Sequence, residues 1–321
     1  MKILHVSFHN GCIGDLNYVA YKLGLDISTL KATWNYNIGH DRAKSIWEEH
    51  KEYFNSFDTI ITSDTAPLSR IFLQNGYSGK LIIWICNRFD YADIATNDCG
   101  FPDPEYYNIL RNNLDNPNVK FAAYTPFEYI YARQRGLMVG DLTIKSVAGI
   151  IQRKAISTIP ENIIKKELFF IPPYHNDTIY MNLKQHCELL GIKCYSGRYQ
   201  GPMDIADFKG VIHIPYAWSN LALFEAIHLG LPYLIPSLKF IVELSRQGNF
   251  FWSPPFQVAD LMHSEWYCDD FKSVLTYFNS WEDLKEKALN FKSEKLYEEM
   301  KVLSAFHEKT ELNKWRKILD V

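Results

Sequence analysis

The chain has no apolar run approaching the roughly eighteen residues that span a bilayer, so no membrane helix is expected. It has no CxxC pair and no Cys/His spacing suited to zinc, although it carries Cys12, Cys86, Cys99, Cys187, Cys194 and Cys268. An even cysteine count does not make a disulfide framework in a chain this long, so reduced thiols and a cytoplasmic protein are expected. Cys86 lies in an apolar run and reads as a buried thiol. There is no GxGxxG fingerprint: Gly11 and Gly14 are spaced GxxG, which argues against a dinucleotide dehydrogenase. There is no basic excess either, with 34 Lys and Arg against 37 Asp and Glu and a net charge of −3. That excludes a nucleic-acid partner held on a broad basic surface. No internal repeat and no low-complexity segment occurs. The start MKILHVSF reads as a strand rather than a secretory signal, because His5 interrupts its apolar run.

What is present is a regular alternation. At 321 residues and 47% hydrophobic, the chain has room for two cores. Strands are expected at Lys2–Phe8, Ile27–Ala32, Phe57–Ser63, Lys80–Cys86 and Val119–Ala123. Helices are expected after Gly14, with Asp15 as N-cap, and at Asp41–Ser56, Pro67–Asn75, Glu105–Asn113 and Pro126–Arg135. The rhythm breaks over 138–166, and a linker is placed near 150–166. A second series follows: strands at Glu167–Ile171 and Lys193–Tyr195, and helices at Thr178–Leu190, Met203–Lys209 and Lys239–Gln247. Trp266–Asn279 and 281–318 also read as helical. Strands alternating with helices in this way imply parallel, doubly wound sheets. The expected fold is α/β, with two Rossmann-like domains facing a cleft and a C-terminal helix packing back toward the N-terminal domain. The expected boundaries are 1–155, 166–295 and 296–321.

The most informative stretch is Val211–Leu238, VIHIPYAWSNLALFEAIHLGLPYLIPSL. It reads as strand, polar loop, helix, strand. Ser219 or Asn220 can cap the helix, and Gly230 ends it. A helix start directly after a strand is an anion site in open α/β sheets. Glu225, one to two turns further in, is well placed for a ribose or sugar hydroxyl. An ordinary βαβ unit with a surface glutamate would look the same.

Four segments carry a resemblance: KILHVSFHNGCIGDL, FDTIITSDTAPL followed by KLIIWICNRFDYAD, KFAAYTPFEYIYARQRGL, and WSNLALFEAIHLGLPYLIPS with its E-A-x-x-x-G-x-P ending. Together they resemble the GT-B glycosyltransferases, in particular those with a glycosyltransferase 4-like C-terminal domain. The resemblance implies a nucleotide-diphosphate sugar as co-substrate, no metal cofactor, and a glycan or glycoconjugate acceptor. Peripheral membrane contact is not expected. Glu225 matches the second glutamate of the family's pair, the ribose ligand; Ala217 stands where the first would be. The turn PPYHND lacks the family's donor-phosphate arginine, and Arg198 is the nearest basic candidate. A sugar-nucleotide 2-epimerase and a non-catalytic binding protein share the fold and stay open.

Glycosyl transfer needs a stabilised diphosphate, a held donor and, in an inverting enzyme, a base for the acceptor hydroxyl. For the base, Asp15 and His9 rank together, followed by Asp64 and then Asp90. Each has a plain alternative: His9 as a turn histidine, Asp15 and Asp64 as helix caps, Asp90 as a partner for Arg88. Ser219, Asn220, Arg198 and Glu225 are the donor candidates. Tyr174 is a base-stacking candidate, and Trp218 either covers the donor or packs. Asp103-Pro104-Glu105 imitates a metal-binding DxD but reads as loop. The aromatic run at 250–256 and the charged face of the last helix read as packing and solvation.

Overall fold

The computed structural model describes residues 1–34, 38–90, 103–151, 166–173, 179–199, 201–250, 257–292 and 294–321. The loop expected over 93–105, the linker and the aromatic run at 250–256 fall largely outside these residues, and Tyr174 does so entirely. The chain forms two compact units, Met1–Gly149 with Thr310–Val321, and Ile150–Lys309.

The first unit contains β1 (Ile3–Ser7), α1 (Asn10–Leu23), β2 (Ile27–Lys31), α2 (His40–Phe54), β3 (Thr59–Thr65), α3 (Arg70–Gln74), β4 (Lys80–Arg88), α4 (Pro104–Asn112), β5 (Val119–Ala123) and α5 (Pro126–Gln134). Its sheet runs β2-β1-β3-β4-β5 and every pairing is parallel. Helices on both faces of a parallel sheet bury its strands on both sides, so the strands read as continuous apolar runs; every residue of β1 and β3 is buried. The final segment of the chain belongs to this unit. Trp315 meets Trp84 of β4 edge-on, with centroids 4.8 Å apart. Trp84 donates its indole N–H to the Ile144 carbonyl at 2.9 Å, and the buried Glu311 accepts from Lys145 N at 2.7 Å. The expected return of the C-terminal helix is thus an aromatic core contact sealed by hydrogen bonds.

The second unit contains β6 (Phe169–Ile171), α6 (Leu183–Leu189), β7 (Cys194–Ser196), β8 (Gly210–Ile212), α7 (Leu221–His228), β9 (Tyr233–Pro236), α8 (Leu238–Arg246), β10 (Leu275–Phe278), α9 (Trp281–Leu289) and α10 (Glu294–Leu319), the last running on into the first unit. Its sheet runs β10-β9-β8-β6-β7, again all parallel. Read from β7, this is the same order as the first sheet: second strand, first, third, fourth, fifth. Each sheet therefore has one topological switch point, between β1 and β3 in the first and between β6 and β8 in the second. Ligands of doubly wound sheets bind at that crevice, outside the carboxyl ends of the strands.

Several sequence expectations need correction. The first helix begins at Asn10, with His9 as N-cap, so Gly11 and Gly14 lie inside it and Asp15 is no cap. The stretch Trp266–Asn279 is not a helix. It holds a 3-10 turn and then β10, an edge strand whose aromatic and β-branched residues pair with β9. Between β7 and β8 the described backbone makes only a 3-10 turn at Pro202–Ile205. The helix expected from Thr178 starts at Leu183, capped by Asn182. The terminal helical region is two helices, the first capped by Ser280 accepting from Asp283 N. Asp103 is not in a loop. It caps α4, accepting from Glu105 N and Tyr106 N at 3.0 and 3.2 Å, while Arg70 bonds both Asp103 and Glu105.

Candidate functional site

In the first unit the switch point falls between the ends of β1 and β3, which deliver His9 and Asp64. The structure thus brings together two of the three proposed catalytic residues. Asp64 is only 2% exposed and has φ of 85°. A non-glycine residue in that region costs on the order of 1–3 kcal/mol, and such outliers cluster at functional sites. The reason lies in the register. Asp64 pairs with Ile85, but Thr65 pairs with Arg88, so β4 carries Cys86 and Asn87 as unmatched residues. Bulges of this kind re-aim side chains at sheet rims.

His9 is exposed and caps α1 through Nδ1, which accepts from Cys12 N at 3.3 Å. The Cys12 thiol is 3.6 Å from the same nitrogen. A neutral imidazole has one acceptor nitrogen, so this contact puts the proton on Nε2. In that tautomer Nε2 of His9 is a donor, not a base. Behind it runs a buried polar row: His5 Nε2 to Ser63 Oγ and Ser63 Oγ to Ser7 Oγ, each 2.8 Å, with His9 N donating to Ser7 Oγ at 3.3 Å. Burial pushes the His5 imidazole down to about 3, so it stays neutral within the row.

Asp15 is placed differently. It is 1% exposed and points at the chain segment after β5. One oxygen accepts from Ser146 Oγ at 3.0 Å and Gly149 N at 2.8 Å, and the other from Val147 N at 3.3 Å. Gly149 allows this approach, since a Cβ there would lie 2.6 Å from Tyr18 Cβ. Both oxygens are occupied, so the carboxylate fastens a loop to α1. Burial is the largest influence on it and pushes its carboxyl up from 3.8 to about 6. The folded state therefore binds a proton more readily than the unfolded chain. This group's contribution is most favourable below the unfolded value and is lost as pH rises through about 6. Relative to Asp15→Asn, the wild type is expected to gain up to about 3 kcal/mol as the pH falls from 7 to 4. Urea unfolding of both proteins across that range checks it; a pH-independent difference would refute it.

The pairing of Asp90 with Arg88 involves a side chain outside the described residues. Asp90 is buried and accepts from the hydroxyls of Tyr107 and Tyr131, with Arg135 Nε 3.9 Å away. It is a structural carboxylate behind the sheet edge.

In the second unit β8 leads through His213 into the loop before α7. The loop is held from the side: Trp266 Nε1 donates to the Ala217 carbonyl, and Glu265 N donates to the Trp218 carbonyl, both at 3.0 Å. Trp218 is fully buried and packs. Asn220 is the N-cap, its side chain accepting from Ala222 N at 3.0 Å. Ser219 Oγ is buried and has no hydrogen-bond partner among the described residues. A buried hydroxyl without a partner beside a helix start leaves a hydrogen bond for an ordered water or a polar ligand to complete. Glu225, fifth in the helix, is 7% exposed. Tyr199 and Tyr233 are pushed up, first by burial; the Glu225 charge adds to both.

Arg198 follows β7. It makes no ion pair among the described residues and lies at a pocket of about 330 Å³ whose walls include Phe170, Tyr195, Tyr199 and Phe208. The Phe170 ring is 5.3 Å from Tyr199 and 5.4 Å from Phe208. Tyr199, in the wall of this pocket, also feels the Glu225 charge. His213, which the sequence reading passed over, is buried against Trp266 with ring centroids 4.8 Å apart, and burial pushes it down to about 3. Among the described residues no group of three or more His, Cys, Asp or Glu is arranged to hold a metal ion, and no helix is long and apolar enough to cross a membrane.

No family model and no curated protein matches the chain. Solved structures do. A Listeria monocytogenes protein assigned as a UDP-N-acetylglucosamine 2-epimerase aligns with TM-score 0.54 and 10% identity, over 99% of this chain and 96% of that one. The Neisseria meningitidis UDP-GlcNAc 2-epimerase bound to UDP-GlcNAc aligns with TM-score 0.51 and 10% identity, over 99% and 100%. The DNA-modifying enzyme β-glucosyltransferase, solved with and without uridine diphosphoglucose, aligns with TM-score 0.51 and 8% identity, over the whole of both chains. The fold is therefore GT-B: two parallel-sheet, Rossmann-like α/β domains.

Proposed function

We propose that the protein binds a nucleotide-diphosphate sugar in its second unit and transfers the sugar to a hydroxyl of a glycan or glycoconjugate, as a cytoplasmic enzyme of the glycosyltransferase 4-like branch. The observation that carries this reading is the Asn220-capped start of α7, with the unpartnered Ser219 hydroxyl beside it and Glu225 buried one turn further in. The helix start and Ser219 favour the diphosphate, whose leaving charge they stabilise. Arg198 adds the cation. Glu225 accepts from the ribose hydroxyls. Tyr174 stacks on the nucleobase. This division assigns the donor to 166–295 and the acceptor to 1–155. No metal is required if these groups carry the diphosphate charge.

In the first unit Asp64 takes the acceptor proton as the hydroxyl oxygen attacks the anomeric carbon and the nucleoside diphosphate departs. His9 Nε2–H orients the acceptor oxygen. Asp15, with both oxygens engaged, is not given a proton-transfer role.

Glu225→Ala is expected to weaken nucleotide-sugar binding by about 1–3 kcal/mol, the loss of a buried hydrogen-bonded carboxylate. Calorimetry checks it, and unchanged affinity in a folded variant removes Glu225 from the site. A thermal-shift screen with UDP-, GDP-, ADP- and TDP-sugars identifies the donor, since a ligand that binds only the folded state raises the melting temperature. Incubation with that donor and no acceptor then tests the reaction. Accumulation of an epimeric nucleotide sugar would overturn transfer in favour of epimerisation.

A further inference from the structure

The crossover from β7 to β8 leaves part of the second sheet without a helix over it. Crossovers between parallel strands ordinarily carry a helix that covers the sheet face. Here the segment GRYQGPMDIADFKG, with Gly201 and Pro202 inside it, holds among its described residues only the 3-10 turn Pro202–Ile205. Phe170 and Tyr195 are register partners on adjacent strands, so their rings share one face of the sheet. The pocket of about 330 Å³ lies on that face. Its floor is Phe170 and Phe208, both buried. Tyr195, 48% exposed, makes a wall. Lys166, Asp204 and Arg198 are exposed and stand at its rim. The 3-10 turn that carries Asp204 packs against α7, the helix of Glu225.

Given a nucleotide-sugar donor, we propose that this pocket selects its base and that the base is guanine, with Asp204 as the specificity-determining residue; the assignment rests on the proposed function.

The volume lies at the lower end of ligand pockets, about 300–1,000 Å³. It has room for a bicyclic base and not for a whole nucleotide sugar. The apolar floor takes a flat ring by stacking, and the role proposed for Tyr174 is unaffected because such a ring has two faces. The rim carries both signs of charge, and guanine is the base that answers both. Its N1–H and N2 amino group lie side by side as two donors, with the O6 acceptor next to them. Asp204 has two carboxylate oxygens, one for each N–H. Lys166 Nζ is 4.7 Å from the Phe208 ring centroid and pairs with Asp207 at 2.7 Å; an ammonium has further donors, and one reaches O6. Arg198 stays with the diphosphate. Uracil and thymine offer one N–H between two carbonyls, and adenine an amino group beside a ring acceptor, so neither fills both carboxylate oxygens. A ribose on Glu225 then adjoins the base, because the turn bearing Asp204 and the helix bearing Glu225 are in contact.

Calorimetry of the full-length protein with GDP, inosine diphosphate, ADP and UDP tests the assignment. GDP is expected to bind most tightly. Inosine diphosphate lacks only the N2 amino group and should bind about 10–100-fold more weakly, the loss of one hydrogen bond to a charged group. Asp204→Ala should bring GDP and inosine diphosphate to the same affinity and leave UDP binding as it was. The wild-type ranking stands alone, so a variant that misfolds does not decide the matter. Tighter binding of UDP or ADP than of GDP, or equal binding of GDP and inosine diphosphate, would overturn guanine selection and leave the nucleotide-sugar reading in place. Failure of all four to bind would overturn that reading and guanine selection with it.

Discussion

Replacing Arg70 with alanine is expected to destabilise the first unit by about 3–5 kcal/mol, the penalty for removing one partner of a buried ion pair. Arg70 is 1% exposed and opens α3. Its guanidinium bonds Asp103 and Glu105, donates to the Ile38 carbonyl at 3.3 Å, and meets Gln74 Oε1 at 2.8 Å. Three segments distant in sequence meet on one planar fork. Asp103 would keep its two N-cap hydrogen bonds but would remain a buried carboxylate without its cation, while Glu105, half exposed, would keep its contact with His40 Nδ1 at 2.7 Å. Arg70→Lys should also lose stability, because a single ammonium cannot serve both carboxylates in the fork geometry. Urea unfolding followed by the buried Trp84 and Trp315 reports the first unit. A loss under about 1 kcal/mol for Arg70→Ala would mean that the pair contributes no more than an exposed one.

The same cluster shows what the sequence could and could not disclose. Asp103-Pro104-Glu105 reads as loop until Arg70 is known to lie beneath it, and no local pattern joins residues 33 and 35 positions apart. The central strands β1 and β3 were legible because they are buried along their whole length, and Val119–Ala123 falls where the pattern puts it although Lys120 is exposed. The turn after β1 was misread because Asp15 is a better generic cap than histidine. His9 wins the position because its imidazole reaches Cys12 N, and that frees Asp15 to fasten the loop at Gly149. β10 was misread because its identity comes from pairing with β9, not from its own four residues. In the second unit the order strand, loop, helix was visible in Val211–Leu238, and Asn220 and Glu225 with it. The tyrosines that feel Glu225 and the buried His213 were not visible. They depend on which strands are neighbours, and sheet order is a tertiary property.

Asp64→Asn is expected to lower turnover on the proposed donor and acceptor by about 10²–10⁴-fold, the usual contribution of a positioned proton acceptor. Asparagine suits the test because it tolerates positive φ better than other non-glycine residues. The backbone at φ 85° and the bulge opposite Cys86 and Asn87 should therefore persist. Only the capacity to take a proton is removed. Asp64→Ala adds the strain of a Cβ residue at that φ with no polar compensation, and should lose stability as well as turnover. His9→Asn separates the two roles at the sheet edge. Asparagine caps helices well, so α1 should hold, while the Nε2–H donor disappears. That variant should show a raised KM for the acceptor and a smaller fall in kcat, as expected when a binding contact is lost. If His9→Asn instead abolished turnover while Asp64→Asn left it intact, the roles would be exchanged. The tautomer inferred from the contact between Nδ1 and Cys12 N would then have to invert during the reaction.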